Sequence, residues 1–238
     1  MLVILGLLVG GVLSGQSLIR AAELRSVSAD LQKYRTSVYS FRDKYFALPG
    51  DMNNATQFWG AQNATPATCR TTASSSALTC DGDGDGIINQ SWEIHRFWQH
   101  LANAGLIEGG YTGVGGSGGV NEVVPGTNAP LSKISSAGYG VFSWPNGQVD
   151  AGVFSRAYGN IMVMGKFAAT GVPEGLVLRG EEAWNIDTKL DDGKPAFGFI
   201  FNRNNTGRSN CTTSDTASTA EYALSNTSQG CSVYMLLQ

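Results

Sequence analysis

Charge is scarce in this chain. Of its 238 residues only 15% are Asp, Glu, Lys or Arg, against roughly a quarter in ordinary soluble domains. The formal net charge is −3, with no basic stripe, so composition argues against a nucleic-acid partner. Histidine is scarcer still: His95 and His100 are the two present, five residues apart. That spacing does not put them on one helix face, which excludes a metal pair and leaves poor material for a catalytic triad. No G-x-S-x-G elbow, H-E-x-x-H helix or P-loop occurs, and the chain reads as not an enzyme. No fixed-period repeat is present, which excludes solenoids.

Cysteine is sparse and oddly placed. Cys69, Cys80, Cys211 and Cys231 form two widely separated pairs in loops rich in Ser and Thr. Zinc would want C-x₂₋₄-C spacing with histidine nearby, and neither is there. The pattern reads as two disulfides, Cys69–Cys80 and Cys211–Cys231, which places the domain outside the reducing cytosol. The alternative is four buried free thiols. What the chain has in quantity is apolar residues, 42%, enough for one sizeable core, and 31 glycines for long polar loops.

Residues 1–13 are apolar or glycine with no charge. As helix that run is roughly 20 Å long, too short for a hydrocarbon core of ~30 Å. It is similar to a signal-peptide core, yet no basic segment precedes it and no lipobox cysteine follows. Behind it Leu24, Val27, Leu31, Tyr34, Val38, Phe41 and Tyr45 recur at alternating spacings of 3 and 4, with charged residues between them. That is one apolar stripe on an amphipathic helix. No Pro divides the two parts, so the expectation is a single helix over 1–46, roughly 70 Å long, stopped by Pro49-Gly50.

The stretch "LVILGLLVGGVLSGQSLIRAAELRSVSADLQKYRTSVYSFRDKYFALPGDMNNATQFWG", residues 2–60, resembles the N-terminal region of type IV pilins and type II secretion pseudopilins. "FALPGD" at 46–51, "FWG" at 58–60, "FWQHLANAGLIEGGYTG" at 97–113 and "NIDTKLDDGKP" at 185–195 are similar to one large-pilin branch. The resemblance implies an α+β, pilin-like fold. A long N-terminal helix, 1–46, packs on an antiparallel sheet in a head domain, 47–238. It implies no enzyme but a structural subunit of a bacterial pilus or pilus-like filament. The partners would be copies of the same chain, the inner membrane before assembly, and the pilus or secretion machinery. The final location would be the periplasm or a cell-surface filament. Alternatives are a secretion pseudopilin and a membrane-anchored calcium-dependent adhesin. Family members begin about eight residues earlier, with an aromatic residue and a glutamate that registers the filament, so the chain is expected to be front-truncated. With those residues the run would reach about 30 Å, enough to span. Gly6, Gly10, Gly11 and Gly15 would allow close helix approach.

In the head, residues 51–80 read as an irregular excursion and "SWEIHRFWQHLANAGLI", 91–107, as a helix. Strands are expected over 138–144, 152–158, 160–167, 196–203 and 231–237, with a short helix at 181–193. The Cys211–Cys231 loop matches the variable disulfide-closed region of pilins. Between excursion and helix lies "DGDGDGIINQSWE", 81–93. Asp81, Asp83 and Asp85 take positions 1, 3 and 5 of an EF-hand-type loop, the Ile87 carbonyl takes position 7, and Ile88 packs inward. The closing carboxylate, Glu93, comes one residue late. Carboxylates this close repel without a cation. The expectation is structural Ca2+ on Asp81, Asp83, Asp85, Ile87 and Glu93, against a solvated acidic turn. Asp187, Asp191 and Asp192 offer a second cation site, against the favoured reading of an exposed helix end.

Overall fold

The computed structural model describes residues 2–89, 91–144 and 152–237, apart from the side chains of residues 2–9 and 13. The front of the apolar run, Gly6 included, and Gln90 of the acidic loop lie outside these described parts.

Helix α1 runs unbroken over Leu2–Tyr45. Val27, Leu31, Tyr34, Val38 and Phe41 are buried, and Leu24 and Tyr45 pack at the two ends of the same row. The alternating 3 and 4 spacing therefore does select the face turned to the head. From residue 10 to 19 the described side chains are exposed apart from the half-buried Gly15, Leu18 at 72% and Ile19 at 64%. Arg20 makes the first tie to the head. Its guanidinium donates Nε–H to Glu182 Oε1 at 2.7 Å and Nη2–H to Glu182 Oε2 and the Val177 carbonyl, both at 2.8 Å. Burial acts to raise the Glu182 carboxyl, but the Arg20 guanidinium overrides it and holds the group below its usual range. Among the described residues no helix is long and apolar enough to cross a membrane.

The remainder is a four-stranded antiparallel sheet with helices, an α+β arrangement. Strands β1 (Ala137–Trp144), β2 (Gly159–Lys166), β3 (Ile200–Phe201) and β4 (Val233–Leu236) lie in the order β1-β2-β4-β3. Helices α2 (Thr56–Trp59) and α3 (Pro66–Thr71) sit in the excursion, α4 spans Glu93–Asn103 and α5 spans Gly180–Leu190. Strand alternation sorts two faces. Tyr139, Val141, Met162, Met164, Val233 and Met235 join the core with α1 and α4. Ile161, Val163, Phe201 and Tyr234 form a second cluster on the reverse face, covered by Val153, Tyr158 and Trp144. Both disulfides, Cys69–Cys80 and Cys211–Cys231, are formed.

Two strand expectations fail. Residues 152–158 form turns, because Val153 and Phe154 are consecutive and enter different clusters instead of alternating. Of 196–203 only Ile200–Phe201 pairs. The ladder groups before it are taken by side chains. The Asp191 carboxylate accepts the Phe199 and Ile200 N–H groups, and Arg156 donates to the Ala196 and Gly198 carbonyls.

Helix α4 carries a buried polar face. Arg96 donates to Gln99 Oε1 at 2.7 Å and to the Cys69 and Thr72 carbonyls at 3.0 Å each. Gly50 N–H donates to His100 Nδ1 at 3.0 Å, so the proton sits on Nε2, which faces Thr79 Oγ1 at 2.9 Å. Gly50 has φ 86°, and a side chain there would strike the Glu93 carbonyl, which requires glycine. Burial pushes His95 down to about 4 and His100 down to about 3. Each imidazole therefore subtracts stability as pH falls from 6.5, because the unfolded chain takes up a proton that the folded one refuses. In an NMR titration of the folded protein neither imidazole should protonate above pH ~5. A titration near the ordinary value would show that α4 is not packed this way.

Candidate metal centre

Helix α1 ends at Phe46, whose φ is 54° and whose N–H reaches the Arg42 carbonyl at 2.8 Å. The Pro49-Gly50 turn that follows lays Asp51 beneath the acidic loop. Asp51 Oδ1 accepts the Gly84 and Asp85 N–H groups at 2.8 and 3.1 Å, and Oδ2 accepts that of Gly86 at 3.0 Å. Within the loop Asp83 Oδ1 accepts Asp85 N–H at 3.2 Å and Asp85 Oδ1 accepts Ile87 N–H at 2.7 Å. These bonds curl residues 83–87 around a buried carboxylate.

Carboxylate oxygens of Asp51, Asp83 and Asp85 lie within 4.8 Å of one another. Ca–O contacts are ~2.4 Å, so oxygens grouped this closely are candidates to share one ion. Asp51 is buried while Asp83 and Asp85 are exposed, leaving the group open on the solvent side. Burial, with the nearby Asp85 charge, pushes the Asp51 carboxyl up to about 6 against the pull of the Gly86 and Gly84 N–H groups. Hard oxygen ligands of this kind suit Ca2+, Mg2+ or Mn2+ rather than a thiophilic metal.

The chain matches no protein-family model, no curated protein and no solved structure.

The residues expected to bind a cation divide in the structure. Asp83 and Asp85 come together. Glu93 is buried at the start of α4, and its Oε1 accepts Asp83 N–H at 3.3 Å, so the late carboxylate does reach the loop. Asp81 is drawn away: it accepts the Thr56 N–H at 2.8 Å and the Thr56 hydroxyl at 3.0 Å. The Ile87 carbonyl accepts Asn89 N–H at 3.1 Å. Ile88 is in the core, and its N–H donates to Asn160 Oδ1 at 2.8 Å, which pins the loop to β2. Asp51 is the residue that sequence spacing missed. It closes the "FALPGD" motif, but 30 residues separate it from Asp81, outside any local ligand pattern.

The second acidic group is not a simple exposed helix end. Asp187 is buried, accepting the Tyr222 hydroxyl at 2.7 Å and Gly193 N–H at 3.1 Å. Burial is the main cause raising its carboxyl to about 7. With Asp191 holding Phe199 and Ile200, the group organises the turn after α5.

The division of labour between Asp51 and Asp81 is testable. Calcium added to the chelated protein should raise its melting temperature, and Asp51→Ala should abolish that rise. Asp81→Ala should keep the rise while lowering stability by about 1 kcal/mol through the lost Thr56 bonds. Calorimetric unfolding with calcium or chelator reads both; a calcium response lost in Asp81→Ala and kept in Asp51→Ala would reverse the assignment.

Proposed function

We propose that the chain is a structural subunit of a bacterial type IV pilus or pilus-like filament, polymerising through α1. The observation that carries this is the division of one 44-residue helix. Its second half supplies the core of the head, whereas residues 10–19 carry no charge and, Gly15 apart, those described there are exposed, Leu18 and Ile19 included. An uncharged segment with Val12, Leu18 and Ile19 exposed is a surface looking for cover, and lateral contact with the same segment of other copies supplies it without closing the assembly. Gly10, Gly11 and Gly15 have open space where a side chain would stand, which suits close helix approach. The α+β head and the quoted pilin motifs support the same reading.

Before assembly the front of α1 holds the chain at the inner membrane, with the disulfide-stapled head outside the reducing cytosol. In the filament the head faces the periplasm or the cell surface. Structural calcium sits on Asp51, Asp83 and Asp85, with Glu93 beneath the loop. Extracellular calcium can reach millimolar levels, so even weak affinity fills such a site. Its role is to gather repelling carboxylates at the start of α4 rather than to do chemistry.

Deleting residues 1–19 should give a soluble monomer with an unchanged melting transition, because the deleted part ends before the Arg20–Glu182 pair. The full chain should form filaments visible by negative-stain microscopy once detergent is removed. A deleted protein that still polymerised would show that α1 is not the filament core.

A further inference from the structure

Four Asp–Gly steps occur in the chain, at residues 81–82, 83–84, 85–86 and 192–193. Such a step carries its own chemistry. The glycine nitrogen can attack the side-chain carboxyl carbon of the preceding aspartic acid, and glycine has no side chain to hinder the approach. A C–N bond forms, a C–O bond breaks, and the departing hydroxyl takes the nitrogen's proton as water. Water then opens the succinimide ring at either carbonyl. One opening restores aspartate. The other gives isoaspartate, whose backbone runs through Cβ and whose carboxylate is displaced. No reactant besides water is needed, and the mass does not change.

Replacing these glycines would slow the reaction, but the fold needs them. Gly84, Gly86 and Gly193 have φ of 77°, 84° and 72°, the left-handed region that glycine enters without strain. A side chain on Gly82 would strike the Asp51 backbone. Instead, all four glycine nitrogens are engaged. Gly82 N–H donates to the Met52 carbonyl at 2.9 Å and Gly84 N–H to Asp51 Oδ1 at 2.8 Å. Gly86 N–H donates to Asp51 Oδ2 at 3.0 Å and Gly193 N–H to Asp187 Oδ1 at 3.1 Å. Gly82 and Gly193 are buried as well. Asp83, Gly84, Asp85 and Gly86 are exposed, so at these two steps water is at hand and the Asp51 carboxylate is the restraint.

We infer that Asp83–Gly84 and Asp85–Gly86 are isomerisation sites held in check by Asp51, and that Asp187 does the same for Asp192–Gly193. A backbone nitrogen attacks only as it gives up its proton. An N–H bonded to a carboxylate resists that loss, because the hydrogen bond is forfeited and the anion left behind faces a second negative charge. The same bonds fix the two peptide planes against the rotation that ring closure needs. Asp51 therefore shapes the loop and also preserves its chemistry. Isoaspartate at 83 or 85 would move a carboxylate out of the group whose oxygens lie within 4.8 Å of one another. The inference rests neither on the filament reading nor on a bound cation.

Full-length protein is aged in chelator at mildly alkaline pH and mapped by peptide fragmentation that distinguishes the two isomers. The folded chain should gain isoaspartate slowly at all four steps, and the denatured, reduced chain rapidly. Asp51→Ala should speed positions 83 and 85 about tenfold or more, the rate equivalent of one lost bond to a charged acceptor, and leave 81 and 192 unchanged. Asp187→Ala should speed 192 and leave 83 and 85 unchanged. If Asp51→Ala speeds all four steps together it has unfolded, and Asp51→Asn decides. A carboxamide has one acceptor oxygen, so that variant should speed one of the two loop steps, with 81 and 192 unchanged. Isomerisation at 83 and 85 no faster than in the unaltered chain, in folded Asp51→Ala or in Asp51→Asn, overturns the inference.

Discussion

Everything in the head leans on the row Val27, Leu31, Tyr34, Val38 and Phe41 of α1. Burying each such side chain is worth about 1.5–3 kcal/mol, and the row is shared by two partners that would otherwise lack a common wall. The Tyr34 ring meets Trp98 of α4 edge-on at 5.2 Å and Tyr139 of β1 at 4.9 Å. Ser37 adds a hydrogen bond to the Leu106 carbonyl at 3.0 Å, closing the end of α4 against the helix. Remove α1 and both α4 and one face of the sheet lose the wall they share.

Helix α4 transmits that support to the loops. Its Arg96 is fully buried yet bonded to carbonyl and amide oxygens, and burial lowers it to about 10. A charge kept inside on such terms costs desolvation and holds only because several acceptors converge on it. Two of those acceptors, the Cys69 and Thr72 carbonyls, belong to the disulfide-stapled excursion, and the neighbouring His100 reaches back to the turn after α1. The acidic loop is thus strung between two segments that α4 fixes, with Asn160 of β2 as a third anchor.

Much of this was legible in sequence because it is periodic. The α1 stripe, the helix at α4, the strand at β2 and the two cysteine pairs all express local pattern, and each forms within a few residues of where that pattern put it. What escaped depends on long-range partners. Asp81 takes a ligand position by spacing, and in the structure its carboxylate holds Thr56. Asp51 looks like a turn residue, yet it is the buried carboxylate on which the loop closes. The segment 152–158 has strand-like residues, but the reverse face of the sheet needed a cover more than a fifth strand. No local pattern announces such competition for a side chain or a surface.

The Arg20–Glu182 pair marks where α1 stops being free and starts being held. A pull along the front of the helix meets that pair first and then the whole Val27–Phe41 row at once. The row lies along the direction of pull, so its contacts must slide together instead of peeling apart singly. Loading in shear spreads force over many small contacts, none of which fails alone. The same packing that makes the core makes the joint along α1 mechanically stiff.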